Sequence, residues 1–549
     1  MRQRKVFGQL TRRRFLEQIG GATAVTVAAG VTGFSTLDGL TPANAAEMTP
    51  DTVYDRRQRA YRLRHEAALT HNALPLPTYP TNGDEERYST KIASFTKCLP
   101  HNALGEVDLQ AYTALLKALT SEATTDFEAI PLGGRVKFAN PSAAYAFELE
   151  GYDPHQLDMI APPAFSSAET ASEMIELYWQ ALTRDVPFAE YDRHPLTNAA
   201  AADLSRCGDF RGPTSNGKVT PATLFRGPTQ GDLTGPYLSQ FLWLDIPQGS
   251  LIVPQRNRVP IAGDDYLTTY PEWLANQRGV PPARVNVFDP TPKYLRNGRD
   301  LAEYVHRDYT YQAFLHACLI LLGLGVPFKI ELPYKRSRTQ AGFITFGAAH
   351  VLDLVARVAN AALKASWCHK WLVHRRLRPE AYAGRVHNHL TKAASYPLNA
   401  QVLESASLQR VQRTYGSYLL PMAYPEGCPT HPSYPAGHAA IAGACATVLK
   451  AFFDETFFLP NPVVASADGL SLTLSQERRL RVGDELDKLA SNLALARNMA
   501  GVHWRSDGVE GLKLGEAVAV GLLKDLRSTC PEAFSGFTLT QFDGTSVAV

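Results

Sequence analysis

Two arginines, one lysine and two histidines, spread over three short blocks in the final third of the chain, have the types and spacing to hold one tetrahedral oxyanion. The first block is Lys370-Trp371-Leu372-Val373-His374-Arg375-Arg376-Leu377-Arg378-Pro379. Pro379 disfavours helical backbone at Arg378, so the helix carrying Lys370 is predicted to end there, with Arg378 on a turn facing a ligand. The second block, Pro432-Ser433-Tyr434-Pro435-Ala436-Gly437-His438, opens a run of small residues. Gly437 lets backbone approach an anion closely, the following helix start offers free N–H groups, and His438 can exchange protons near neutral pH. The third block is Arg497-Asn498-Met499-Ala500-Gly501-Val502-His503-Trp504-Arg505-Ser506-Asp507. Gly501 reads as a helix C-cap, which puts Arg497 in a last helical turn and His503 on the following loop. Asp507, with Glu510, has the spacing of a helix cap; four residues after His503, it is also placed to orient that imidazole. Each block alone has a plain structural reading as a basic helix end, a Pro/Gly turn or a cap. Together they supply guanidinium forks, an ammonium, backbone donors and two imidazoles, which match phosphate or vanadate.

The elements that must position these groups are mainly helical. Val351, Leu354, Val355 and Val358 recur with helical spacing, while Asp353 and Arg357 lie one turn apart on another face. A second apolar helix is predicted from about Tyr311 to Leu322, ended by Gly323, Gly325 and Pro327. The run His438 to Phe453, rich in Ala and Gly, suits close helix–helix packing. Residues 46 to about 300 alternate short helical patterns with Pro- and Gly-rich connections and repeat at no fixed period. The expected organisation is a signal segment at 1–45, a helical and loop region at 46–300, and a catalytic helical bundle at 301–549 packed with it as one compact unit.

The N-terminus reads as an export signal. Arg2, Arg4 and Lys5 precede Thr11-Arg12-Arg13-Arg14-Phe15-Leu16, which follows the twin-arginine pattern. An apolar run from Ile19 to Phe34 and a small-residue cleavage site at Ala43-Asn44-Ala45 complete it; a simple membrane anchor is the alternative. The expectation is a periplasmic or secreted enzyme without stable membrane insertion once the signal is removed. Residues 46–549 then carry 49 basic and 51 acidic side chains. A near-neutral surface has no field suited to nucleic acid, so small substrates are expected. The seven cysteines form no CxxC pair, which argues against a thiolate zinc cluster, and their odd number leaves at least one without an internal partner.

With these blocks in this order, the sequence resembles the vanadium haloperoxidases, relatives of the acid phosphatase type-2 superfamily. Within them it looks like the algal bromoperoxidase branch, where seven residues separate the Lys and Arg of the first block, as they do here. Phe225-Arg226-Gly227-Pro228, the run Gly235 to Leu242, Asn297-Gly298-Arg299-Asp300 through Gln312, and Phe343 to Ala381 extend the likeness over nearly the whole mature chain. The resemblance implies a helical-bundle core with long loops and a vanadate cofactor. It implies that His503 is the axial vanadium ligand, and that Lys370, Arg378, Arg497 and the Gly437 backbone hold the vanadate oxygens. His438 is then the acid–base partner and Lys370 polarises bound peroxide. Hydrogen peroxide, bromide or iodide, and a small organic acceptor are the implied substrates, and a homo-oligomer the implied assembly. Trp367 matches an aromatic residue beside the site. His431, where fungal chloroperoxidases carry an aromatic residue, favours bromide or iodide over chloride. Asp308, in Val305-His306-Arg307-Asp308-Tyr309, is expected to pair with a vanadate-binding arginine. One departure is Ala436, where the family usually has Ser. Two other functions use the same residues: a phosphatase with His503 as phosphohistidine nucleophile, and a catalytically poor oxyanion-binding protein.

Overall fold

The structure is a computed structural model that describes residues 53–549; the export signal expected at 1–45 lies outside the described residues. The chain divides into two units, residues 1–66 and 67–549. The described part of the first is helical from Val53 onward. The second is built mainly from helices, and it contains every group discussed below.

Helix α1 (Ala168–Thr183) starts at Ser167, whose side chain accepts from the Thr170 amide. It is buried along almost its whole length and carries two acidic residues inward, Glu173 and Glu176. Helix α2 (Gly298–Tyr304) is capped by the Asn297 side chain and leads through a short loop bearing His306 and Asp308 into α3 (Gln312–Gly323). Helix α4 (Ala348–Cys368) buries Val351, Leu354, Val355 and Val358 on one face, as its periodicity predicts, while Arg357 donates to Asp353 at 3.1 Å on the other.

The end of α4 departs from expectation. The helix does not run to Arg378 but widens into a π turn at His369–His374, closed by the Arg375 amide on the Lys370 carbonyl. Arg375 then takes a left-handed conformation, φ 38°. Glu85, on a distant part of the chain, grips its guanidinium through both carboxylate oxygens. The extra residue in the turn shifts every following side chain round the axis, and Pro379 opens a new helix, α5 (Pro379–Leu390), with Arg378 as its N-cap residue.

Helix α6 (Gly437–Phe452) is the centre of the bundle, packed against α4, α7 (Val482–Met499) and α8 (Arg505–Thr529). Small residues make this possible. A methyl group added at Gly515 would lie 2.0 Å from the Ala440 carbonyl oxygen, and one at Gly443 would lie 2.1 Å from that of Leu512. Backbones this close admit no side chain between them, so the glycines of both helices fix the crossing. Among the described residues, three two-stranded antiparallel hairpins sit outside the bundle, for example Ile246–Gln248 paired with Leu251–Val253. Among the described residues no helix is long and apolar enough to cross a membrane.

Candidate active site

The N-terminus of α6 and the segment before it, the last turns of α4, the end of α7 with the α7–α8 loop, and the α2–α3 loop converge on a cavity of about 370 Å³. Of the residues singled out in the sequence, Asp308, Trp367, His431, Gly437, His438, Arg497 and His503 line it. Lys370, Arg378 and Asp507 stand behind them, all three fully buried.

His503 lies where Gly501, at φ 84°, turns the chain out of α7. Its Nδ1 is 2.8 Å from Asp507 Oδ2. With a carboxylate accepting there, Nδ1 carries the proton and Nε2 presents a lone pair. Burial and the neighbouring Arg378, Lys370 and Arg497 hold the His503 pKa well below the usual imidazole range, so it is neutral and competent as a ligand. Asp507 also accepts from the Trp504 amide at 3.1 Å and from Arg376 at 2.8 Å. It therefore caps α8 and orients the imidazole at once.

The surrounding cations are buried without counter-charge. Lys370 Nζ donates to the Pro432 and Ser433 carbonyls at 2.9 and 2.8 Å. Arg378 donates to the carbonyls of His431 and Val502 and to His503 Nε2 at 3.0 Å. Arg497 donates to the Val305 carbonyl, and its Nε has no partner. Among the described residues no carboxylate forms an ion pair with any of the three. Desolvation and mutual repulsion push the Lys370 pKa well below its ordinary value and that of Arg378 down to about 10. Uncompensated buried charge is costly, and a bound oxyanion relieves it. The helix start adds to this: Ala436 gives α6 no side-chain cap, leaving its first N–H groups for a ligand. A Cβ at Gly437 would point between Leu363 and Trp367 on the cavity wall, so glycine keeps that approach open. This donor set fits vanadate or phosphate in charge, in geometry and in its neutral imidazole.

Arg375 and Arg376, which lie between Lys370 and Arg378 in the chain, are neutralised elsewhere. Arg375 pairs with Glu85, and Arg376 with Glu173 and Asp507. Asp308 is a correction. It was expected beside an arginine, but its Oδ1 lies 3.1 Å from His438 Nε2, because the α2–α3 loop brings it to the first turn of α6 while Arg497 turns to the Val305 carbonyl. His431 packs against Trp367 with the rings tilted by 40° and their centroids 4.8 Å apart, and burial beside Lys370 and Arg378 keeps it neutral.

Sequence reasoning did not single out His306, although it lies two residues before Asp308. Its ring is held between Glu303, at 3.0 Å, and Glu426, at 2.5 Å, and stacks 3.9 Å from Tyr424. These two carboxylates raise its pKa against the opposing effect of burial. Tyr424 in turn faces Arg497.

Fold and site together define a helical-bundle protein whose centre is shaped for a tetrahedral oxyanion beside a neutral histidine. A family model described as the VCPO second helical-bundle domain matches residues 352–530. The vanadium-dependent bromoperoxidase of Corallina pilulifera is 34% identical, over 91% of this chain and 99% of its own length. That of Ascophyllum nodosum is also 34% identical, over 85% of this chain and 92% of its own. The solved homohexameric structure of the second vanadate-dependent bromoperoxidase from Ascophyllum nodosum matches with a TM-score of 0.86 at 29% identity, covering 95% of both chains. The chain belongs to the vanadium-dependent bromoperoxidase family.

Proposed function

We propose that this protein is a vanadate-dependent haloperoxidase that uses hydrogen peroxide to oxidise bromide or iodide to a hypohalous species, which halogenates organic acceptors. The observation that carries this reading is the cluster of three buried, carboxylate-free cations around the neutral His503. Relatives named as bromoperoxidases over most of the chain favour it over a phosphatase. Vanadate, when bound, supplies a Lewis acid that activates peroxide toward halide without changing oxidation state. His503 Nε2 is the ligand atom, and Asp507 fixes its tautomer. Lys370, Arg378, Arg497 and the Gly437 N–H hold the oxygens. His438, steadied by Asp308 at Nε2, moves a proton through Nδ1. The overall change, in which hydrogen peroxide, bromide and a proton give hypobromous acid and water, consumes one proton per turnover. The protein is exported by the twin-arginine route and works as a homo-oligomer, as its hexameric relative does.

Reconstitution tests this reading. Protein stripped of oxyanions is expected to brominate an activated diketone only after orthovanadate is added. Its thermal midpoint rises at the same time, since vanadate at 100 times its Kd adds about 2.7 kcal/mol to the folded state. Brisk aryl phosphate hydrolysis that vanadate inhibits, without halogenation, would move the assignment to phosphatase.

Ala436 gives a second expected result. It is buried, with φ −71° and ψ 122°, a conformation that serine adopts freely at a helix N-cap. Ala436→Ser adds a hydroxyl at the edge of the oxyanion cradle. One hydrogen bond to a charged group contributes about 1.5 kcal/mol at the low end, so vanadate binding tightens by about 10-fold in equilibrium dialysis. Unchanged affinity would mean that the hydroxyl caps the helix instead.

A further inference from the structure

Behind one wall of the active-site cavity lies a second chamber of about 340 Å³. The two share Trp367, Glu426, Pro429 and His431, which form the partition along which they adjoin. On the far side the walls are Val136, Ala139, Val280 and Pro282. This frame is tied together. The Val136 amide donates to Gly279 and the Ala139 amide to Thr430, both at 3.0 Å, while Trp367 Nε1 donates to the Ala139 carbonyl at 3.2 Å. The chamber is thus preformed.

Unlike its neighbour, it has no unpaired cation on its wall. The one cation on its wall, Lys97, spends its ammonium on Glu380 at 2.8 Å and on the carbonyls of Glu426 and Cys428 at 2.8 and 2.6 Å. Asn276 donates to the same Glu380. No wall cation remains to hold a halide, phosphate or vanadate. A largely apolar space of this size, with a tryptophan and a neutral histidine on one side, suits a neutral planar molecule.

We propose that this chamber binds the organic acceptor, a neutral electron-rich aromatic compound, with its reacting carbon against the Trp367–His431 partition. The proposal rests on the haloperoxidase reading, which supplies hypobromous acid in the adjoining cavity; the acid passes between the two spaces at Trp367 and His431 to meet the acceptor. In the transfer the O–Br bond breaks as a C–Br bond forms. The ring proton leaves with the hydroxide oxygen as water, and aromaticity is restored.

The test uses 2-naphthol as probe and two variants, Val280→Trp and Pro282→Trp. Both positions line the chamber and are exposed, so the added indole fills it from its outer side. Vanadate-free protein is expected to bind 2-naphthol at one site by calorimetry, and each variant that retains the wild-type melting profile weakens this by at least about 10-fold. In bromination, 2-naphthol competes with a small activated diketone. The loaded wild-type enzyme favours naphthol beyond the ratio given by reagent hypobromous acid, and the variants return to the reagent ratio. A wild-type ratio equal to the reagent's, or naphthol binding indifferent to both variants, overturns the proposal. Tribromide formation without any acceptor reads the parent activity separately. If it is absent while naphthol binding stays sensitive to the variants, the haloperoxidase reading fails and the acceptor role falls with it.

Discussion

His503→Ala is expected to release vanadate and bring bromination down to the background of the protein-free mixture. His503 Nε2 carries the lone pair that the Asp507 contact at Nδ1 orients, and the neighbouring Arg378 has none to offer in its place. Losing an outer hydrogen-bond partner of a metal-bound histidine costs about 10- to 100-fold in metal affinity, so losing the ligand itself costs more than about 100-fold. The scaffold tolerates the change. Asp507 keeps Arg376 and the Trp504 amide, so α8 remains capped and its carboxylate remains paired. Vanadium retained per chain after gel filtration, read beside the melting profile, separates loss of the ligand from loss of the fold. A variant that still holds stoichiometric vanadium and brominates would remove His503 from its proposed role.

The residues that bear on this result were legible because oxyanion chemistry narrows the choice of side chain. Arginine, lysine, histidine and glycine near helix ends are few, and three blocks of them in one order say more than any single block. Helix α6 was legible for a different reason, since a run of Ala and Gly has one good use in a bundle, close backbone packing. What the sequence could not display were the partners of charges. Arg375 and Arg376 sit between Lys370 and Arg378 and have the same chemistry, yet Glu85 and Glu173 remove them from the site from positions about 290 and 200 residues away. The π turn that separates the two kinds of cation depends on the same remote contact, because the left-handed Arg375 is held by Glu85. Asp308 was misassigned for this reason too: its place in the chain leaves open whether it meets an arginine or His438, 130 residues on. The second chamber was invisible, being assembled from irregular segments around 136–139 and 279–282 that carry no periodicity to read.

His438→Ala separates chemistry from binding in the opposite sense to His503→Ala. His438 stands in the first turn of α6, partly open to the cavity, with Nε2 held by Asp308 and Nδ1 left to exchange. Each turnover takes up a proton as an oxygen of peroxide leaves as water, and a positioned acid contributes about 10²- to 10⁴-fold to such a step. The bromination rate is therefore expected to fall by that factor. Vanadium content stays close to that of the wild type, because the buried cations and His503 are untouched. Added imidazole, small enough for the space the side chain leaves, restores part of the rate. A variant that brominates at the wild-type rate would exclude His438 from proton transfer. One that loses both vanadium and activity, with no rescue by imidazole, would make the His438–Asp308 pair a structural support of the cradle.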